Sequence, residues 1–228
     1  MLISMPKIII ATIKEWNISN YFQLKDTYKE QYEFILISNK EELTFEIMSN
    51  HKPKYIFFPH WSWIIPSDIY KSFICIVFHM TDLPFGRGGS PLQNLIIRKI
   101  YDTKISALRV DGGLDTGDIY LKEKFNISIG SAEEIFIKLS NIIFEKMIPS
   151  LLKKNIIPVK QNGKIVIFNR RKTNESDINS LSEKTIDKLY DFIRMLDAQG
   201  YPKSYLEFDK VKIEFSEVHL KNNKLVGR

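Results

Sequence analysis

A chain of 228 residues with 44% hydrophobic content is long enough for one large domain, or one domain with an appendage, around a real core. Its single cysteine, Cys75, excludes an internal disulfide and points to a reducing, cytoplasmic setting, and its four scattered histidines offer no zinc-ligand spacing. The net charge of +6 belongs to the C-terminal third: residues 1–150 hold 17 Lys/Arg against 17 Asp/Glu, and residues 151–228 hold 16 against 10. Such an excess suits a nucleic-acid stripe, a phosphorylated small molecule or a merely solvated basic surface. No apolar run approaches membrane-span length. PKIIIATI (6–13) leads into charge and tryptophan rather than a cleavage site, so no leader is expected.

KIIIATI (7–13) is short, β-branched and continuous, the pattern of a strand buried on both faces. A polar, aromatic loop, KEWNISNYF, leads to a helix, and FILIS (34–38) is the second strand. EELTFEIMSNHK (41–52) has helical spacing at Leu43, Phe45 and Met48; YIFFP (55–59) and ICIVF (74–78) are strands three and four. Strands alternating with helices predict a doubly wound α/β fold with a mostly parallel, Rossmann-like sheet. GSPLQNLIIRKIY (89–101) starts a helix with Ser90 as N-cap and Pro91 at the first position. ISALRV (105–110) and IYLKEKFNI (119–127) form an antiparallel pair. A capping box, Ser131 with Glu134, opens a helix that runs to about Lys154.

A boundary falls near IIPVKQNGK (156–164), which divides the chain into residues 1–160 and a small α+β region over 161–228. In the latter, KIVIF (164–168) is a strand, NRRKTNESDI (169–178) a polar connector and EKTIDKLYDFIRML (183–196) an amphipathic helix. Residues 205–208 and 211–220 read as a closing hairpin.

Sites in doubly wound sheets lie outside the carboxyl ends of the strands. WN (16–17), PHWSW (59–63) and HMTDLP (79–84) all fall there. His79 is followed by PFGRGG, whose glycines permit close approach of a ligand to backbone. A lone histidine also serves as a structural residue, so acid–base work is one of two readings. Asp115, in DGGLDTGD (111–118), is either a turn former or, lying against His79, the carboxylate that orients the imidazole and stabilises its charged form. The tryptophans of PHWSW are core packing or one wall of a pocket for a flat ring. Arg87, just ahead of a helix, is a surface cation or the partner of an anionic group.

Together these residues resemble the folate-dependent formyltransferase family. Its pattern runs roughly N-x-H-x-S-L-L-P-x-x-R-G-x-x-P, then L-D-T-G-D. HMTDLPFGRGGSP (79–91) matches from the histidine onward with Thr81 in the serine position, and LDTGD (114–118) matches in full. FNRRKTNESDI (168–178) and YPKSYLEF (201–208) resemble later family segments in the family's order. The resemblance implies formyl transfer from N10-formyltetrahydrofolate to a primary amine, without a metal. His79 and Asp115 are then catalytic. Arg87, Gly88, Leu114, Gly117 and Asp118 hold the folate, and His60, Trp61, Thr81 and Arg170 meet the acceptor. In one departure, the family's catalytic asparagine falls on Val77, which cannot hydrogen-bond through its side chain. Thr81, His60 and Asn94 are the candidates to replace it.

The family branches differ in the segment after the catalytic domain. Only about 60 residues, the connector included, come after the 164–168 strand here, small for a tRNA-binding barrel, and the basic excess is thinly spread. The expected acceptor is therefore a nucleotide-linked amino sugar of surface-glycan biosynthesis, with no nucleic-acid or membrane partner. Another amine, such as that of methionyl-tRNA, and a non-catalytic binding role suggested by Val77 are the alternatives. The 205–220 hairpin is available to pair across a homodimer.

Overall fold

The computed structural model describes residues 5–228. Strands β1 (Lys7–Ala11), β2 (Glu33–Ile37), β3 (Tyr55–Phe58) and β4 (Cys75–His79) pair in parallel in the order β2-β1-β3-β4. The short strand β5 (Phe85–Gly88) stands outside this sheet, which β6 (Asp102–Arg109) and β7 (Ile119–Asn126) extend antiparallel beyond β4. The period of two along β1 divides its side chains between two cores. Ile8 and Ile10 enter the larger, with Tyr21 and Leu24 of α1 (Glu15–Tyr28). Ile9 and Ala11 enter the smaller, with Met48 of α2 (Phe45–His51) and Ile69 of α3 (Ser67–Ser72). Helices thus cover both faces of a mostly parallel sheet, the doubly wound α/β fold expected.

Local structure departs from the sequence reading in several places, the strand formed by FGRG (85–88) among them. Residues 15–22 are not a loop: α1 starts at Glu15, because Asn17, Tyr21 and Leu24, spaced four and three apart, bury one face of it. Ser90 does occupy the N-cap of α4 (Pro91–Ile97), but in left-handed geometry, and its Oγ accepts instead from Arg171 N at 3.0 Å. The Ser131–Glu134 capping box forms, yet the following helix is not continuous. It runs as α5 (Ala132–Ile142), a π turn (Ile143–Met147) and α6 (Ile148–Lys153). Pro149 has no N–H to give the ladder, and Ile148 N–H reaches back five residues to Ile143 O. Finally, the closing hairpin is two. β9 (Ser204–Phe208) pairs with β10 (Val211–Phe215), and β11 (His219–Lys221) pairs with β12 (Lys224–Val226). Asn222 and Asn223 both have positive φ in the second turn, as a two-residue type I′ connection needs.

The region after residue 160 is tied to the sheet at two points. Strand β8 (Val166–Phe168) pairs in parallel with β5, and α7 (Ile186–Arg194) buries Phe192 and Ile193 in the larger core. The glycines after His79 serve this junction. A Cβ on Gly88 would stand 2.4 Å from Phe168 O, and one on Gly89 2.6 Å from Arg170 Cβ. Close approach to backbone is therefore real here, and the group that approaches Gly88 and Gly89 is the chain's own residues 168–170. At Gly88, φ is +108°, so a side chain would be strained as well as crowded. Gly88→Ala is expected to lower stability by about 3 kcal/mol. A urea melt matching that of wild type would show that β5 and β8 do not need this contact.

Candidate functional site

β1, β3 and β4 end at one edge of the sheet, beside the point where strand order reverses between β1 and β3. A cavity of about 480 Å³ opens there. Lys14 enters it from beyond β1, His60 and Trp61 from beyond β3, and His79 from the last residue of β4. Gly88 and Arg170 complete the set of expected site residues on its walls. The others lie elsewhere. Thr81 is fully buried and gives its hydroxyl to Gly86 O at 3.3 Å. Arg87, Leu114, Asp115, Gly117 and Asp118 are not on the cavity's lining.

His79 connects the two groups. Its Nε2 bonds Gly86 O at 2.7 Å; a carbonyl oxygen only accepts, so Nε2 carries a proton. Its Nδ1 faces Asp115 Oδ2 at 3.6 Å, and the same oxygen accepts from Gly88 N at 2.9 Å. The pair is charge-facing rather than directly hydrogen-bonded. Asp115 itself has positive φ (53°), the left-handed geometry that Asp tolerates better than most residues.

Gln161, which carried no sequence signal, binds the second group together. Its Oε1 accepts from Arg87 Nε and Nη2 at 3.1 and 2.8 Å, while its Nε2 donates to Asp115 O and Gly117 O, both at 2.8 Å. Arg87 is thus committed to a neutral amide that pins the 111–118 loop. Asp111 closes the same loop from within, accepting from Gly113 N and Thr116 Oγ1. Gly117 is required because a Cβ there would overlap Arg109 O at 1.7 Å. Leu114 projects outward, 66% exposed.

Val77 packs with Leu83, Leu108 and Ile119, an apolar neighbourhood. Each of the three candidate substitutes for the missing donor already has a partner. Thr81 bonds Gly86 O, and Asn94 Nδ2 serves Gly89 O, Ser90 O and Asn169 O. His60 Nε2 bonds Tyr201 Oη at 2.9 Å.

The electrostatics of the cavity were hidden in the sequence because they combine distant segments. Among the described residues its lining holds four cations, Lys14, Arg170, Arg171 and Lys172, and no carboxylate. Burial pulls the Lys14 ammonium and the Arg171 guanidinium below their usual ranges. Burial, and then the Lys14 charge, pulls His60 down to about 4, and burial pushes the Tyr201 phenol up to about 12. Lys14, Lys172 and Tyr201 were not among the expected site residues. Their signals were indirect: a strand-end position for Lys14, and the family-like segments 168–178 and 201–208 for Lys172 and Tyr201.

A solved structure described as methionyl-tRNA formyltransferase from Clostridium thermocellum is 52% identical to this chain, with a TM-score of 0.95 over 98% of this chain and 97% of that one. The chain therefore belongs to the formyltransferase family. Within it, residues 173–228 match the family model for the C-terminal domain of methionyl-tRNA formyltransferase. The methionyl-tRNA formyltransferase of Rickettsia felis is 36% identical over 119 residues, 50% of this chain and 39% of that protein, so the chain spans well under half the length of this curated relative. A 4-N formyltransferase from Francisella tularensis, at 20% identity and a TM-score of 0.71, shares the fold.

These findings overturn the expectation of a nucleotide-linked amino sugar as acceptor, and with it the glycan role and the exclusion of nucleic acid. That expectation took about 60 residues to be too few for a tRNA-binding domain. Those residues are themselves what the methionyl-tRNA formyltransferase C-terminal model matches.

Proposed function

We propose that this protein transfers the formyl group of N10-formyltetrahydrofolate to the amine of methionyl-tRNA. The observation that carries the reading is His79, held between Gly86 O and Asp115 at the edge of a cation-lined cavity, in a chain 52% identical over nearly its whole length to a structure so described. The acceptor amine attacks the formyl carbon, and the carbonyl π electrons move to oxygen. His79 Nε2–H donates to that oxygen as charge develops, in place of the bond to Gly86 O, and Asp115 orients the ring. The C–N10 bond then breaks, N10 takes up a proton and the amine nitrogen loses one, giving an N-formyl product and tetrahydrofolate. In this scheme the 111–118 loop with Arg87 is the donor side, and Gly88 lies between it and the cavity. The cavity is the acceptor side, and residues 161–228 supply most of its charge.

Four cations without a carboxylate suit a polyanionic acceptor end. Incubating the protein with methionyl-tRNA and N10-formyltetrahydrofolate should yield formyl-methionyl-tRNA; no product would remove the reading. Arg170→Ala and Lys172→Ala should each raise the acceptor KM roughly tenfold, with kcat little changed. They should also reduce the slope of log affinity against log salt by about 1. An unchanged KM and slope would take phosphate contact away from these residues.

A further inference from the structure

We propose that Tyr201, carried by the C-terminal region, and His60, at the end of β3, form a hydrogen-bonding pair that holds the reacting amine of the acceptor in the cavity that His79 also lines. The proposal rests on the acceptor reading above and assigns to it two side chains separated by 141 positions in sequence.

Four observations converge. First, both residues line the cavity that His79 enters, and their 2.9 Å bond spans the junction between the sheet and the chain after residue 160. Second, His60 adopts a left-handed backbone (φ 56°), an unfavourable state for a non-glycine residue that persists only where the surroundings hold it. Third, the ring is fixed by aromatic packing, edge-on to Phe136 at 4.8 Å and to Trp16 at 6.0 Å between centroids. Tyr201 in turn stacks on Phe136 at 5.4 Å. Fourth, the pair is neutral: burial keeps the proton on the Tyr201 phenol and keeps the His60 imidazole uncharged.

The chemistry follows from that neutrality. Whichever ring nitrogen of His60 carries the proton, the Tyr201 oxygen keeps a lone pair for an amine N–H. A neutral pair suits an attacking amine, which must itself be unprotonated to act as a nucleophile. Lys14, whose Nζ lies 5.2 Å from the Tyr201 ring centroid and 5.4 Å from that of Trp16, disfavours a second cation at this wall. An amine therefore binds here better neutral than as ammonium.

The test compares Tyr201→Phe and His60→Asn with wild type in formyl transfer to methionyl-tRNA, measuring KM for each substrate, kcat and thermal midpoint. Tyr201→Phe keeps the aromatic stack and removes only the hydroxyl. The expected result is an acceptor KM raised about tenfold, a formyl-donor KM unchanged and a thermal midpoint close to wild type. An unchanged acceptor KM in an active Tyr201→Phe protein overturns the pair's role and leaves the acceptor reading standing. Equal rises in both KM values with a lowered midpoint overturn it in favour of a purely structural bond. A wild-type protein inactive on methionyl-tRNA overturns the acceptor reading and this assignment with it.

Discussion

Replacing His79 with alanine is expected to lower formyl transfer by roughly 10²–10⁴-fold, the range associated with loss of a positioned acid–base group. His79 is 8% exposed, ends a core strand and is held at Nε2 by Gly86 O at 2.7 Å, with the Asp115 carboxylate 3.6 Å from Nδ1. Its neighbours are poorly placed to stand in for it, since Thr81 and Asn94 are bonded to backbone carbonyls and Val77 is apolar. The structural cost of the substitution is small by comparison. One hydrogen bond is lost, about 1 kcal/mol, and Gly86 O still accepts from Thr81. Rate and stability therefore separate. A folded His79→Ala protein that transfers formyl at the wild-type rate would dismiss His79 from the chemistry.

The largest stability effect is expected at Arg194, which is 1% exposed at the end of α7. Its Nε donates to Asp191 Oδ1 at 2.8 Å, and its Nη1 donates to Ile127 O and Gly130 O, both at 3.0 Å. These bonds fasten α7 to the segment between β7 and α5. Asp191 is further bound by Tyr101 Oη at 2.5 Å. Arg194→Ala leaves Asp191 without its cation and strands two carbonyls, a change expected to cost about 3–5 kcal/mol. At roughly 2–4 °C per kcal/mol for a chain of this size, the thermal midpoint should fall by about 10 °C. Because α7 also receives Gln93 through Met195 O, at 2.9 Å from Gln93 Nε2, loosening it disturbs the cavity wall formed by Gln93 and Leu196. Calorimetry reading a fall of under 2 °C would show that the helix is held by its apolar face alone.

Local order was readable from the residues. The β-branched run KIIIA, the alternation of strands with amphipathic segments and the Ser131–Glu134 box are short-range patterns; the first two produced the elements expected, and the box opens a helix as expected although a π turn interrupts it. The failures were cases where a tertiary partner outweighed local preference. Residues 15–22 are helical because Asn17, Tyr21 and Leu24 find a core, and FGRG becomes a strand because residues 166–168 arrive beside it. Ser90 gives up its cap to bond Arg171.

The candidate site divides along the same line. The residues proposed for acid–base chemistry, His79 and Asp115, and the likeness to a formyltransferase were legible in the sequence, because a strand-end histidine, a glycine-rich turn and an Asp-Gly loop are contiguous motifs. Only the tertiary structure decided that the glycines make room for Phe168 and Arg170, that Arg87 is spent on Gln161, and that Lys14, Arg171, Lys172 and Tyr201 meet in one cavity. The reason is physical. Motif chemistry is carried by neighbours in the chain, whereas desolvation, close contact and the sum of like charges depend on which distant segments the folded core brings within a few ångströms of one another.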